Sequence, residues 1–254
     1  MISTMDPIGL AELTERAGLL TRVDRKYLLP YADLDHVLDA LPGTSRVLQI
    51  DGRRQFGYRS VYFDSAGLLA YRLTATRRRR RFKIRTRSYL DSGLHLLEVK
   101  TRGPRGRTVK QRVPYAGDGE HLGPQDRAEA YAALLQAGAA TPASADDLHP
   151  VLITSYHRAT VFLPKSGSRA TIDTDLAWTL PDGSDELRLD GHAVVETKSP
   201  GAAAEMDRAL WAHQHRPCSI SKFGTGLAAL RTDLPAHRWH HLLTRHLNQK
   251  ELLS

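Results

Sequence analysis

Apolar and polar residues alternate with a period of two along much of this chain. In "RRFKIRTRSY" Phe82 and Ile84 fall between Arg81, Lys83, Arg85 and Arg87. Successive strand side chains point to opposite faces, so such a stretch predicts a strand with one packed face. The same pattern predicts strands in "RVDRKYLLP", ending at Pro30, and over 56–63, 79–90, 94–102, 108–114, 151–163, 169–178, 186–189 and 192–198. "LDSGL" joins the 79–90 and 94–102 strands as a hairpin, and "RGPRGR" is the turn before 108. Helical spacing predicts helices in "GLAELTERAGLL" and in "YADLDHVLDALPG", where Leu34, Val37, Leu38 and Leu41 form a stripe stopped by Pro42-Gly43. Further helices are expected at 125–138, 201–214, 222–231 and 238–251, with a loop at 139–148. Many antiparallel strands with helices at intervals give an α+β class.

The alternation also sorts charge. Arg79, Arg81, Lys83, Arg85 and Arg87 are expected on one face and Phe82 and Ile84 on the other. Glu98 and Lys100 share a face, as do Glu196 and Lys198, Asp24 and Lys26, and Arg169 and Asp173; Arg158 lies in "TSYHRATVFL". A flat sheet with a wet face carries such a pattern. A barrel with an apolar outside and a charged lumen carries it too. The repeated acid-x-cation pairs favour the barrel, because converging acids and bases can hold a metal and a phosphate chain together. Taken singly, a Glu-x-Lys pair is more simply a surface salt bridge.

Composition sharpens this picture. The 254 residues, 41% apolar, suffice for a sizeable core. The formal net charge is +8, and the eight cations between Arg77 and Arg87 equal that excess, which predicts an anionic partner. The sole cysteine, Cys218, excludes an intramolecular disulfide and suggests a reducing, cytoplasmic setting. No apolar run is long enough to cross a membrane, and no signal peptide is expected at the start. The histidines of "HQH" (213–215) and "HRWHH" (237–241) lack a matching ligand set for zinc. There is no Gly-rich P-loop and no Ser-His-Asp or Cys-His pattern. No stacking aromatics interleave the arginines, which argues against nucleic acid.

"RVDRKYLLP", "RSVYFD", "LAYR", "FKIRTRSY", "LLEVKTR", "YHRATVF", "RATIDTDL", "VVETKSPG" and "SISKFGTG" occur in the order seen in VTC-domain proteins. The chain resembles that family, part of the triphosphate tunnel metalloenzyme superfamily and similar to the CYTH proteins, over about residues 20–230. The resemblance implies a single domain covering 1–254, built as an eight-stranded antiparallel barrel around a hydrophilic tunnel, with a C-terminal helix at 238–251. It implies a polyphosphate polymerase using ATP and Mn²⁺ or Mg²⁺. The family's phosphate-gripping and catalytic cations fall on Lys26, Arg85, Arg87, Lys100, Lys198 and Lys222. Arg72, Arg81, Lys83, Arg158 and Arg169 join them as phosphate-binding positions. Its metal-binding acids fall on Glu196, Glu98 and Asp24, the last shorter than the family's usual glutamate. With Asp173 the set has four acids and, leaving aside Arg81 and Lys83, nine cations, an excess suited to ATP, triphosphate or polyphosphate. Ser60 and Tyr62 either line the tunnel or pack.

Two other functions fit the same residues: a metal-dependent inorganic or nucleoside triphosphatase, with water as acceptor, and a non-catalytic polyphosphate-binding module. The chain shows neither the SPX sensor nor the membrane helices of the eukaryotic polymerase complex, so inositol-phosphate control and coupled translocation are not expected of it.

Overall fold

Alternation becomes strand where one face has a core to meet. The computed structural model describes residues 2–18, 23–102 and 108–247. In chain order they form β1 (Asp6–Ile8), α1 (Leu10–Ala17), β2 (Val23–Pro30), α2 (Tyr31–Asp39), β3 (Arg46–Leu48), β4 (Phe56–Asp64), α3 (Leu69–Ala75) and β5 (Phe82–Tyr89). Then come β6 (Leu94–Arg102), β7 (Thr108–Val113), α4 (Pro124–Gln136), β8 (His149–Leu163), β9 (Ser168–Thr179), β10 (Glu186–Arg188), β11 (His192–Ser199), α5 (Glu205–Ala212) and α6 (Lys222–Leu230). Short helical turns follow from His237 to Leu247. The class is α+β, as the pattern predicts.

The chain divides into two compact units: Met1–Gly57 with Tyr156–Leu176 and Leu189–Ile220, and Tyr58–Ser155 with Ala177–Arg188 and Ser221–Ser254. In the first, the strand order is β2-β11-β9-β8, with the small β3 antiparallel to β8 and β1 parallel to β3. Val195 lies opposite Tyr27 on one side and Ile172 on the other, while Glu196 lies opposite Lys26 and Thr171. Tyr27, Leu29, Ala193, Val195, Ala170 and Ile172 therefore share one face, which packs on Val37, Leu38, Met206 and Leu210 of α2 and α5. Asp207 binds this layer together. Its fully buried carboxylate accepts from Tyr27 Oη (2.7 Å), Thr197 Oγ1 (2.6 Å) and the Ala204 N–H (2.9 Å), capping α5 against β2 and β11.

In the second unit the order is β8-β4-β5-β6-β7, and every pairing with a described register is antiparallel. Phe82, Ile84 and Thr86 align with Thr101, Val99 and Leu97 on β6, and all six are buried. Helices α3 and α4 pack on this unit's strands, with Ala130 and Leu134 of α4 fully buried. Among the described residues β2 pairs with β11 alone and β7 with β6 alone. The eight long strands of the expected architecture are all present, and among the described residues no main-chain pairing joins β2 to β7, as the ring that the resemblance implies would require.

Some elements depart from the sequence reading. The strand expected from residue 79 begins at Phe82: Arg77 takes φ +56° and residues 79–80 form a turn. Arg79 thus does not continue the strand face. A run of like charges has no apolar partner to pull it into the sheet, and it stays in the connection. "LAYR" lies in helix α3, which is held by Asp64. The Asp64 carboxylate accepts from the N–H groups of Ser65, Ala70 and Tyr71 (2.8, 2.8 and 2.9 Å), and burial raises its pKa to about 6. The helix expected at 238–251 is a succession of short turns to Leu247, and residues 248–251 lie outside the described residues, as do the "RGPRGR" turn from 103 on and the end of "AGLL".

Candidate functional site

The face of β4–β7 opposite the core carries the second unit's chemistry. Register places Arg85 beside Tyr62 on β4 and Glu98 on β6, and Glu98 beside Arg112 on β7. One step along, Lys83, Lys100 and Lys110 lie side by side on β5, β6 and β7. Glu98 is the acid at the centre, only 2% exposed. Arg85 grips its Oε2 through Nε (2.9 Å) and Nη2 (2.7 Å), Arg87 Nε stands 4.0 Å away, and Lys110 pairs with Oε1. Burial opposes ionisation here, but Arg85, Arg87 and Lys110 overcome it and hold the carboxyl well below its ordinary range. Burial also lowers the pKa of Lys110.

Aromatic rings orient the same cations. The Arg85 guanidinium lies 5.8 Å from the Tyr62 ring and donates to its hydroxyl (3.2 Å), Arg87 lies 5.6 Å from Tyr58, and Lys83 Nζ lies 5.6 Å from Phe223. Lys83 also reaches Ser221 Oγ (2.9 Å), the N-cap of α6. Arg87 Nε is buried with no hydrogen-bond acceptor among the described residues. Such a donor, beside five other cations and one acid, is placed to meet an anion.

The first unit has a different face. Asp24, Lys26, Glu196, Lys198, Arg169, Thr171 and Asp173 lie on its non-core side by register. Arg158 clamps Asp173 in two short bonds (2.6 and 2.8 Å), and although burial opposes it, Asp173, Tyr156 and Glu196 raise its pKa. Lys198 Nζ stands 3.1 Å from Glu196 Oε2 and 3.4 Å from Thr171 Oγ1. Burial lowers the Lys198 pKa, and the neighbouring Arg158 adds to this while Glu196 and Asp24 oppose it. Lys26 Nζ donates to the Ile220 carbonyl (3.3 Å). Cations and acids are nearly balanced here, whereas cations dominate the other face.

The VTC domain family matches residues 21–231. The chain belongs to this family. No curated protein sequence matches it. Among solved structures, a Pyrococcus horikoshii OT3 protein, PH1819, is 14% identical, with a TM-score of 0.46 over 83% of this chain and 98% of its own. A Hippeastrum protein, HpAC1, described as having a dominant triphosphatase activity, is 15% identical, with a TM-score of 0.46 over 86% of this chain and 100% of its own.

Within this VTC domain the predicted residues fall into groups. Lys83, Arg85, Arg87, Glu98 and Lys100 share one face; Asp24, Lys26, Arg158, Arg169, Glu196 and Lys198 belong to the other unit. Lys222 opens α6, and its carbonyl accepts from Trp178 Nε1 (2.7 Å). Arg72 stands apart on α3, exposed, with Nε bonded to the Gly67 carbonyl (2.9 Å). Arg81 precedes β5 and donates to the Arg78 carbonyl (3.0 Å). Lys110, Arg112, Tyr58 and Tyr156 escaped the sequence reading. The alternation of "TVKQRV" is the signal for the first two, and Tyr156 lies two residues before Arg158 on β8, with the guanidinium 5.1 Å from its ring, whereas Tyr58 meets Arg87 across strands and leaves no local mark.

A divalent metal is tested by the acids available. Among the described residues no group of three or more histidine, cysteine or carboxylate side chains converges. An all-protein cage is therefore not built from them. Mg²⁺ or Mn²⁺ held by one or two carboxylates and by substrate phosphates needs less, and Glu196 and Asp24, which share the first unit's non-core face by register, are the acids that would supply it. Glu98 fits this role less well, because three cations already occupy its oxygens. No helix of the described residues is long and apolar enough to cross a membrane.

Proposed function

We propose that this VTC domain is a metal-dependent phosphotransferase that moves the γ-phosphate of ATP onto a growing polyphosphate chain. The observation that carries this reading is the row of Lys83, Arg85, Arg87, Lys100 and Lys110 ordered around one buried Glu98. Phosphoryl transfer asks a protein chiefly for positioning and charge neutralisation. Arg85 and Arg87 present planar forks to phosphate oxygens, and Glu98 fixes those forks before substrate arrives. Lys83, Lys100 and Lys110 supply point charges along the chain. By the family resemblance, Lys26 and Lys198 of the first unit and Lys222 of the second are assigned to phosphate neutralisation, with the proton affinity of Lys198 lowered by its burial. Glu196 and Asp24 would hold Mn²⁺ or Mg²⁺, which would supply Lewis-acid charge neutralisation when bound.

The same machinery would serve a triphosphatase, because the acceptor alone separates the two reactions. Incubation with ATP and Mn²⁺, resolving ADP, orthophosphate and polyphosphate, decides the matter. Long polyphosphate with ADP is the expected product. Orthophosphate alone would overturn the polymerase reading in favour of the triphosphatase, and binding without turnover would leave a polyphosphate-binding module.

A further inference from the structure

Among the second unit's arginines, Arg77, Arg78, Arg79, Arg80, Arg81, Arg102 and Arg238 make no ion pair with a carboxylate of the described residues. Elsewhere in the chain, Arg16, Arg25, Arg46, Arg59, Arg85, Arg158 and Arg231 are each ion-paired. Four of the unpaired set lie together. Arg102 donates its main-chain N–H to the Arg81 carbonyl (3.3 Å), which continues the β5–β6 pairing by one residue. The Thr74 carbonyl accepts both from the Arg77 N–H (3.3 Å) and from Arg238 Nη1 (2.8 Å), tying those two residues to the end of α3. The charges felt by Arg81 are Arg102 and Arg238, and those felt by Arg238 are Arg77 and Arg102; with burial, they lower the pKa of both guanidinium groups. Arg238 Nε is in addition buried with no hydrogen-bond acceptor. Mutual repulsion and an unmet donor are costs a folded chain carries without return unless an anion relieves them.

We propose that Arg77, Arg81, Arg102 and Arg238 form a separate subsite for linear polyphosphate, occupied by the part of the chain that extends beyond the reacting phosphates. This rests on the function proposed above and adds a requirement for polymer length. Along a strand, same-face residues recur every two positions, about 6.6 Å. From Arg85 through Lys83 to the level of Arg81 is thus about 13 Å, more than three linked phosphates reach. Register puts Arg81 and Arg102 next in line after Lys83 and Lys100. A triphosphate gripped by Arg85 and Arg87 stops short of the cluster, while a long chain lying along the row arrives at it. Single-stranded RNA is disfavoured as the occupant. The ring among these arginines is Trp239, which lies under Arg238 (5.7 Å) and is itself 1% exposed, so it offers no surface for a base to stack on.

The test compares the wild type with Arg77→Ala/Arg102→Ala, both exposed side chains without ion pairs. Affinity is measured for tripolyphosphate and for polyphosphate tens of residues long, across a salt series. The variant is expected to bind tripolyphosphate as the wild type does, to lose about tenfold or more in long-chain affinity, and to show a salt dependence shallower by about 1.5–2 in log–log slope. Without ligand its melting temperature should equal or exceed that of the wild type. Unchanged long-chain affinity, or an equal loss for tripolyphosphate, would overturn the subsite while leaving the phosphotransferase reading standing. Displacement of long polyphosphate from the wild type by RNA of equal charge, no longer seen in the variant, would also overturn it, showing a general polyanion patch. A wild type that binds neither phosphate ligand would remove both proposals together.

Discussion

At the scale of single residues, Glu98 is the pivot of the cationic face. Folding holds its carboxyl below the ordinary value of 4.5, against the effect of its burial, through Arg85, Arg87 and Lys110. The folded protein therefore keeps Glu98 ionised where the unfolded chain has begun to protonate it. Its contribution to stability is complete above about pH 4.5 and is lost as pH falls towards the depressed folded value. Glu98→Gln should cost about 2 kcal/mol at neutral pH, since it leaves three cations, the buried Arg87 among them, repelling one another. The variant should also lose part of the wild type's weakening in acid. Urea unfolding at pH 7 and pH 4 checks both effects, and equal acid sensitivity would show that Glu98 is not the group concerned. For binding, Arg85→Ala and Arg87→Ala should each weaken triphosphate affinity about tenfold or more, each removing a contact worth roughly 1.5–3 kcal/mol. Calorimetric titration with a non-hydrolysable triphosphate reads this directly. Glu196→Gln keeps shape and removes charge, so turnover should vanish at saturating Mn²⁺ while the melting temperature holds. Near-normal turnover would move the metal elsewhere.

At the scale of elements, each strand is committed by its apolar side. Phe82 and Ile84 are each 1% exposed on β5. Phe82→Asp should destabilise by several kcal/mol, because it drives a charge into an apolar layer. A melting curve coincident with the wild type would return residues 77–87 to a solvated tail. The first unit's elements hang on Asp207 instead. Asp207→Ala would orphan the buried Tyr27 and Thr197 hydroxyls and the Ala204 N–H that caps α5, at about 3 kcal/mol in total. Denaturant melts measure that loss, and Asp207→Asn should recover part of it. The alternation announced the strands, and Phe82 and Ile84 were legible as packed from sequence alone. The turn at 77–81 was not. Its arginines extend the same pattern, and only the absence of a core beneath them ends the strand. Helix α3 was hidden for a similar reason: its N-terminus is fixed by Asp64, a residue before the helix that no periodicity marks.

At the scale of the whole molecule, charge is the organising quantity. The net +8 is unevenly spread, with acids and cations close to balance beside Glu196 and cations in excess beside Glu98. Anion binding should accordingly be a large part of stability in use. Tripolyphosphate at about 100 times its Kd should add about 2.7 kcal/mol, raising the melting temperature by several degrees, and the gain should shrink as salt is added. A melting temperature indifferent to tripolyphosphate at low salt would contradict the anion-binding reading as a whole. Chelation by EDTA should stop turnover yet leave most of this thermal gain, since the arginines act without the metal.

The sequence by itself determined the strand faces, the α+β class, the concentration of positive charge and, through motifs in fixed order, the family. These are properties of neighbours in the chain, where alternation and composition carry the information. Tertiary structure alone decided which charges meet. Glu98 became an organiser of Arg85, Arg87 and Lys110, Arg158 was committed to Asp173, and Arg72 was set apart on a helix. Pairing register and burial set those partnerships between residues distant in sequence. The strength of an ion pair depends on the separation and desolvation that register and burial impose.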